Sequence, residues 1–438
     1  MTSETTLSVR SFMIGGQHAL AAVGGIVAAP LVIALGMGLS ADDTRYVISA
    51  ALVVSGIATV IQILRIGPIG SGLLSIQGTS FAFVGPLIYV FSDLSAASST
   101  HEALGVIFGS ALLCSVAMIF LTAYVQKLRS VVTSNVTGLT LVLIGVTLVE
   151  GTAAALWGGF SAATVPWQFL LICGTTLFVL ALSLALPKLK LRLVAIVVAL
   201  AVGTGIATLF GEVDWALLSV EVIAFLPEFG RFGFGFDWTV VLILLPIFLV
   251  SATESIGDLT ATNGLSGYPT GDSAYWGRVR GGLMGDALNS SIASVFATFP
   301  NTTFSQNNGL IRLTGESRPS IGLYAAAVIL VLGVIPVFSA AVQLIPPSVI
   351  SVVTLVLFAM VAWAGWQIFS RHADSLRSWV VFLVGGAGGY TLATFSEHWM
   401  YLPESLQQVL SFPVSTGAML GLLLEWLLPA TSRRAPSA

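Results

Sequence analysis

The sequence predicts an all-α polytopic membrane protein with fourteen transmembrane segments arranged as two seven-span inverted repeats. Three observations carry that reading. Apolar residues make up 56% of the 438 positions and charged residues only 8%, against roughly 25% charged in an average soluble domain. The apolar residues fall in runs long enough to cross a bilayer, which takes about 20 residues of helix at about 1.5 Å each. Lys and Arg gather in the breaks on one side of those runs.

The first set of runs covers 13–37, 46–64, 71–91, 103–125, 131–149, 166–186 and 193–210. An acidic stretch with Glu212, Asp214, Glu221, Glu228 and Asp237 follows. A second set covers 238–262, 279–298, 301–313, 320–340, 346–368, 377–395 and 409–428. With the N-terminus cytoplasmic, all of the 17 Lys and Arg except Arg45 and Arg231 fall inside. Asp42, Asp43, Asp93, Glu102, Glu150, Glu397, Glu404 and the acidic connection fall on the other face. One missed crossing would scramble this pattern, so both termini are expected in the cytoplasm. A half with an odd number of spans places its successor in the opposite orientation, the layout of many secondary transporters. The polar N-terminus up to Arg10, and a first run continuing past Pro30 and Leu35, read as a span of the inner (plasma) membrane and not as a cleavable signal.

Several function classes lose support. The net charge of −3 gives no reason to expect nucleic acid. Cys114 and Cys173 lie inside apolar runs, where a thiol is a small buried hydrophobe. No His-Glu-x-x-His motif is present, none of the three lysines follows a glycine as a phosphate-binding loop requires, and His101, His372 and His398 form no constellation. Neither metal nor cofactor is expected, and the chain does not read as an enzyme.

Two spans are irregular. The third opens with Gly67, Pro68, Gly70, Gly72 and Gly78. The tenth holds Pro300 and the polar run Thr302, Thr303, Ser305, Gln306, Asn307, Asn308, Gly309. Broken backbone survives in hydrocarbon only where protein or a wet cavity covers it, because each unpaired group costs several kcal/mol in rough terms. Paired interruptions at corresponding places in two halves point to a midplane site; Gly78-Thr79-Ser80-Phe81 and Asn301-Thr302-Thr303-Phe304 stand at such places. The alternative is that the glycines serve close helix packing.

Three acids lie deep in expected spans: Glu254, Asp258 and Asp286. A carboxylate there costs at least about 2.5 kcal/mol on insertion scales, so such residues mark substrate or proton pathways. Glu254 and Asp258 are four apart and share a helix face, and one of the acids is a candidate proton carrier. The bland reading is a carboxyl that ties helices together. His18, beside Gln17 in the first span, is open to the same two readings.

At this point the motifs resemble those of the nucleobase–ascorbate transporters, or nucleobase:cation symporter family 2. Gln306-Asn307-Asn308-Gly309, followed by Thr314 and Gly315, is similar to the family signature in span 10. Ala252-Thr253-Glu254-Ser255-Ile256-Gly257-Asp258 resembles its Glu-centred motif. Gln77-Gly78-Thr79-Ser80-Phe81 and Gly281-Gly282 before Asp286 complete the set. The resemblance implies short antiparallel strands breaking spans 3 and 10. It also implies a core domain (1–130, spans 1–4, with 237–342, spans 8–11) moving elevator-like against a gate domain (131–236, spans 5–7, with 343–438, spans 12–14). Carried over, Glu254 and Gln306 bind substrate through side chains, Phe83 and Ser305 through main-chain groups, and Phe304 and Ala82 lie at the pocket. Asp286, Asp258, His18 and Asn307 form the proton-coupling network. The partners implied are a purine base, the lipid bilayer and a second copy joined through the gate domains.

The chemistry agrees with that picture independently. A purine dione presents N–H donors and carbonyl acceptors; a carboxylate accepts two N–H bonds, and a primary amide supplies one donor and one acceptor. Similar uracil carriers have Glu where Gln306 stands, so Gln favours xanthine or uric acid. Ala82 departs from some xanthine carriers, which place a polar residue there, and leaves room for a broader range. The expectation is proton-coupled uptake of an oxopurine, protons being the coupling ion. The alternatives are another nucleobase of the same family, or an anion exchanger or channel of the same general fold.

Overall fold

A computed structural model describes residues 9–124, 133–157, 165–186, 194–219, 224–371, 373–395, 398 and 401–428. Several charged positions used above, Lys127, Arg129, Lys188, Lys190, Arg192, Glu221, Glu397, Arg433 and Arg434 among them, lie outside the described residues.

In chain order the first half runs α1 (Val9–Gly36), α2 (Ala41–Leu64), β1 (Gln77–Thr79), α3 (Val84–Ser95), α4 (Thr100–Leu121), α5 (Ser134–Trp157), α6 (Trp167–Ala185) and α7 (Ala195–Leu209). The second runs α8 (Trp238–Leu265), α9 (Ser273–Val295), β2 (Asn301–Thr303), α10 (Gln306–Thr314), α11 (Pro319–Val334), α12 (Pro336–Gln343), α13 (Pro347–Ser370), α14 (Leu376–Thr394), α15 (Glu404–Leu410) and α16 (Pro413–Leu427). Helix starts follow from side-chain caps that take up otherwise unpaired N–H groups. Ser40 accepts from the Asp43 N–H, Ser99 and Glu102 form a capping box, Asp237 accepts from Thr239 and Val240, and Asp272 accepts from Tyr275.

Among the described residues, seven helices are long and apolar enough to cross a membrane unaided: α1, α2, α4, α5, α6, α8 and α13. The bent pair α11–α12, which turns by 76°, makes an eighth. Four of the six other expected crossings fail that test for visible reasons. Helices α3, α7 and α16 have 12, 15 and 15 residues, and α9 carries Arg278, Arg280 and Asp286. The outer surface is apolar, with Phe120, Phe178, Leu209 and Trp363 each more than 60% exposed, as lipid-facing positions are.

Packing sorts the helices into neighbours. Helix α11 lies along α2 and α1, and α4 along α9 and α8. Helix α5 runs along α13, and α14 along α16. Small residues make the α5–α13 contact: a Cβ at Gly138 would stand 2.8 Å from the Gly365 carbonyl oxygen, the close approach that membrane helices use. Among the described residues ion pairs gather in three places, one of them joining Arg377 of α14 to Glu425 of α16. Asp43 meets Arg231 at 3.6 Å and His101 at 3.4 Å, while Arg45 meets Asp42 at 3.6 Å. Glu316 meets Arg318 at 3.0 Å and Arg10 at 4.0 Å.

Candidate functional site

The chain between α2 and α3 cannot continue as helix, because Gly67, Gly70 and Gly72 adopt φ of 63°, 93° and 73°, which side chains disfavour. It runs extended through β1, then turns through Phe81–Phe83 into α3, with the Ser80 hydroxyl capping the Ala82 N–H at 3.3 Å. The second half repeats the plan from β2 into α10. The two strands pair antiparallel, Gln77 with Thr303, Gly78 with Thr302 and Thr79 with Asn301. Ser80 N–H donates to the Pro300 carbonyl and Phe304 N–H to that of Ile76, each at 2.9 Å. The broken backbone of each half is thus satisfied by the other.

Helix α10 buries Asn307, Asn308, Leu310 and Ile311 and leaves Gln306 and Gly309 open on one face. Asn307 donates from Nδ2 to the Leu74 carbonyl at 2.6 Å, which turns its Oδ1 towards His18 Nδ1, 2.7 Å away. Because that oxygen only accepts, Nδ1 carries the hydrogen. Asn308 accepts from the Thr262 hydroxyl at 2.6 Å and donates to the Asp258 carbonyl at 3.3 Å. These bonds fasten α10 to α1 on one side and α8 on the other.

On α8, Glu254 and Asp258 are half-buried, and Gly257 between them faces open space. Asp286 reaches in from α9 and is 8% exposed. Asp258 lies close enough to feel the charges of both Glu254 and Asp286, with Thr303 beside it. Gln77 and Ser255 face Asp286, the Ser255 hydroxyl also bonding that of Thr302 at 3.0 Å. Gln62 of α2 donates to Asp286 Oδ1 at 3.2 Å.

The aromatic residues take structural positions. The Phe304 ring fills a slot whose walls are Gly25 and Gly78: a Cβ on either would stand 2.8 or 2.6 Å from ring atoms. Phe83 is fully buried, edge-on to Phe248 with centroids 4.7 Å apart, and its N–H reaches the Ser80 carbonyl at 3.3 Å. Ala82 is buried beside it. Phe81, half-buried, meets Phe358 of α13 edge-on at 6.5 Å.

Of the residues singled out in sequence, the structure therefore joins His18 to Asn307 and gathers Glu254 and Asp286 around Asp258. Among the described residues no hydrogen bond links Glu254 to Gln306, and Ser305 and Gln306 are exposed. Gln62 was not anticipated, and Gln77 and Ser255 stood only as motif positions with no role assigned. The available signal was an amide within an apolar run, which at bilayer depth needs a partner.

A family model described as "Permease family" matches residues 10–386. The chain belongs to the nucleobase–ascorbate transporter family of permeases. It is 33% identical to the xanthine permease XanP of Escherichia coli K12 over 94% of this chain and 90% of that one. It is 31% identical to XanQ of the same organism over 95% and 91%. With the uric acid-xanthine permease of Emericella nidulans it shares 27% identity over 96% and 81%. The fold is similar to the transmembrane domain of a cyanobacterial bicarbonate transporter, BicA, at TM-score 0.60 and 14% identity, covering 96% of this chain and 98% of that one. It is also similar to SLC26A9, at 0.62 and 11%, covering 96% and 66%. This permease is a multi-pass membrane transporter and not an enzyme.

Proposed function

We propose that this permease takes up an oxopurine, xanthine or uric acid, driven by protons. Glu254 and Gln306 would hold the base through their side chains, with main-chain groups of Phe83 and Ser305 and with Phe304 and Ala82 at the pocket, while Asp286, Asp258, His18 and Asn307 support proton coupling. The observation that carries the proposal is the strand pair β1–β2, at whose end α10 begins with Gln306 and is bonded through Asn308 to α8, the helix that carries Glu254 and Asp258. Relatives named for xanthine and uric acid support the substrate class, and the resemblance, in which uracil carriers have Glu where Gln306 stands, favours an oxopurine over uracil.

The mechanism proposed is elevator-like alternating access of the core domain (1–130 and 237–342) against the gate domain (131–236 and 343–438), in a chain of fourteen spans as two inverted repeats. Corresponding strands in the two halves support the repeats. The orientation, with both termini cytoplasmic in the inner membrane, is supported by the ion pairs. The two exceptional arginines, Arg45 and Arg231, both pair with acids of the Asp42–Asp43 turn, whereas Arg10 and Arg318 share Glu316. A homodimer through the gate domains completes the proposal.

The test is counterflow of labelled xanthine in proteoliposomes against unlabelled xanthine, uric acid, hypoxanthine, guanine, uracil and ascorbate. Xanthine or uric acid should compete best, and a protonophore should collapse uptake against a gradient. Uptake that survives the protonophore and follows an imposed sodium gradient would make the acids parts of a sodium site or structural groups.

A further inference from the structure

Gln62 lies near the end of α2, fully buried. Its amide nitrogen donates to Asp286 Oδ1 and to the Gly282 carbonyl, each at 3.2 Å. The Gly282 carbonyl is one turn before Asp286 on α9, so the second bond holds the amide at the level of the carboxyl. Gly285 makes room for it, since a Cβ there would collide with Gln62 Oε1. The backbone carbonyl of Gln62 accepts from the Gly72 N–H at 3.1 Å, which fixes the end of the helix.

Two atoms of this arrangement are buried without a hydrogen-bond partner, Gln62 Oε1 and Asp286 Oδ2. A buried unsatisfied acceptor is costly, and here each is the atom the other's residue would use if the carboxyl bore a proton. The remaining groups facing Asp286 are Gln77 from β1, Ser255 from α8 and the carboxyl of Asp258. Asn301 from β2 and Met118 from α4 lie across a cavity of about 20 Å³ that Asp286 lines, room for one water.

We propose that Gln62 is a positioning residue for Asp286, an amide that serves the carboxyl in both protonation states. Its N–H donates to the carboxylate; its oxygen accepts from the acid's O–H after a small turn of the side chain. The inference rests on the reading that Asp286 takes part in proton coupling.

The test is the pH profile of xanthine counterflow in proteoliposomes. Gln62→Met keeps the length and removes the donor, so the charged carboxyl loses its partner and holds its proton to higher pH. The alkaline limb should move up by about one pH unit, the scale of one hydrogen bond to a charged group. In an Asp286→Asn background the same substitution should move nothing. Gln62→Glu, which keeps the shape and places two carboxyls to share a proton, should move the limb in the same direction and stands in if the Met variant does not reach the bilayer. A limb that stays in place in either variant while the rate falls at every pH, or that moves without Asp286, overturns the inference. If wild-type transport has no alkaline limb and ignores the protonophore, the coupling reading itself has failed.

Discussion

Asn307 shows how little freedom a polar side chain has at this depth. Both ends of its amide are taken, by His18 and by the Leu74 carbonyl, so it sets the angle of α10 and cannot turn to a ligand. Glu254 and Gln306 are placed differently, one half-buried and one exposed with no bond between them. From this contrast, Glu254→Gln should abolish uptake of any purine. The amide's donor end would face ring N–H groups and leave buried donors unmatched, at about 1–3 kcal/mol each. Gln306→Glu should retain uptake and shift preference between purines. Both are read as initial rates and as competition by the base panel; wild-type affinity in Glu254→Gln would remove that residue from the site. Asp286→Asn should impair accumulation against a gradient more than exchange of base for base, because a ligand shifts an equilibrium only through differential affinity for its two states. Equal loss of both would make Asp286 structural.

At the scale of elements, the strand pair is packed against the Phe304 ring, which lies close to the backbones of Gly25 and Gly78. Gly78→Val should unseat it, since the first added carbon already stands 2.6 Å from the ring and 2.7 Å from Ile26, and overpacking of this kind costs about 1–3 kcal/mol. Thermal unfolding in detergent should show lower stability, with purine binding weakened as well; Gly257→Ala, where a Cβ meets nothing within 4 Å, is the control that keeps its stability. Much of this element was legible in the chain itself. Glycine and proline broke the third and tenth runs, and three acids stood out against hydrocarbon. The amide of Gln62 in an apolar run signalled a need for a partner, but which partner was not legible, because Asp286 is 224 positions away. Periodicity reports on one helix and says nothing about which helix lies against it. Phe304 illustrates the same limit: a motif marks its position, while its packing between Gly25 and Gly78 is a property of three separate elements.

For the whole molecule, the sidedness inferred from basic residues makes a direct prediction. Cysteine at Asp42 or Asp93, both exposed, should react with an impermeant maleimide added outside cells, and cysteine at Arg318 or Arg371 should not. The reverse labelling would invert the orientation; mixed labelling would change the number of crossings.

The pairing of β1 with β2 also bears on how the chain is made. More than 200 residues separate Thr79 from Asn301. At about 5–20 residues per second, β1 waits roughly 10–45 s for its partner to be synthesised. During that time it is an open strand edge beside lipid, where unpaired backbone groups find no water. Biogenesis of this permease therefore requires a sheltered place at the site of insertion, held until the second half arrives, and an arrested chain ending before residue 301 would remain bound there with its edge unsealed.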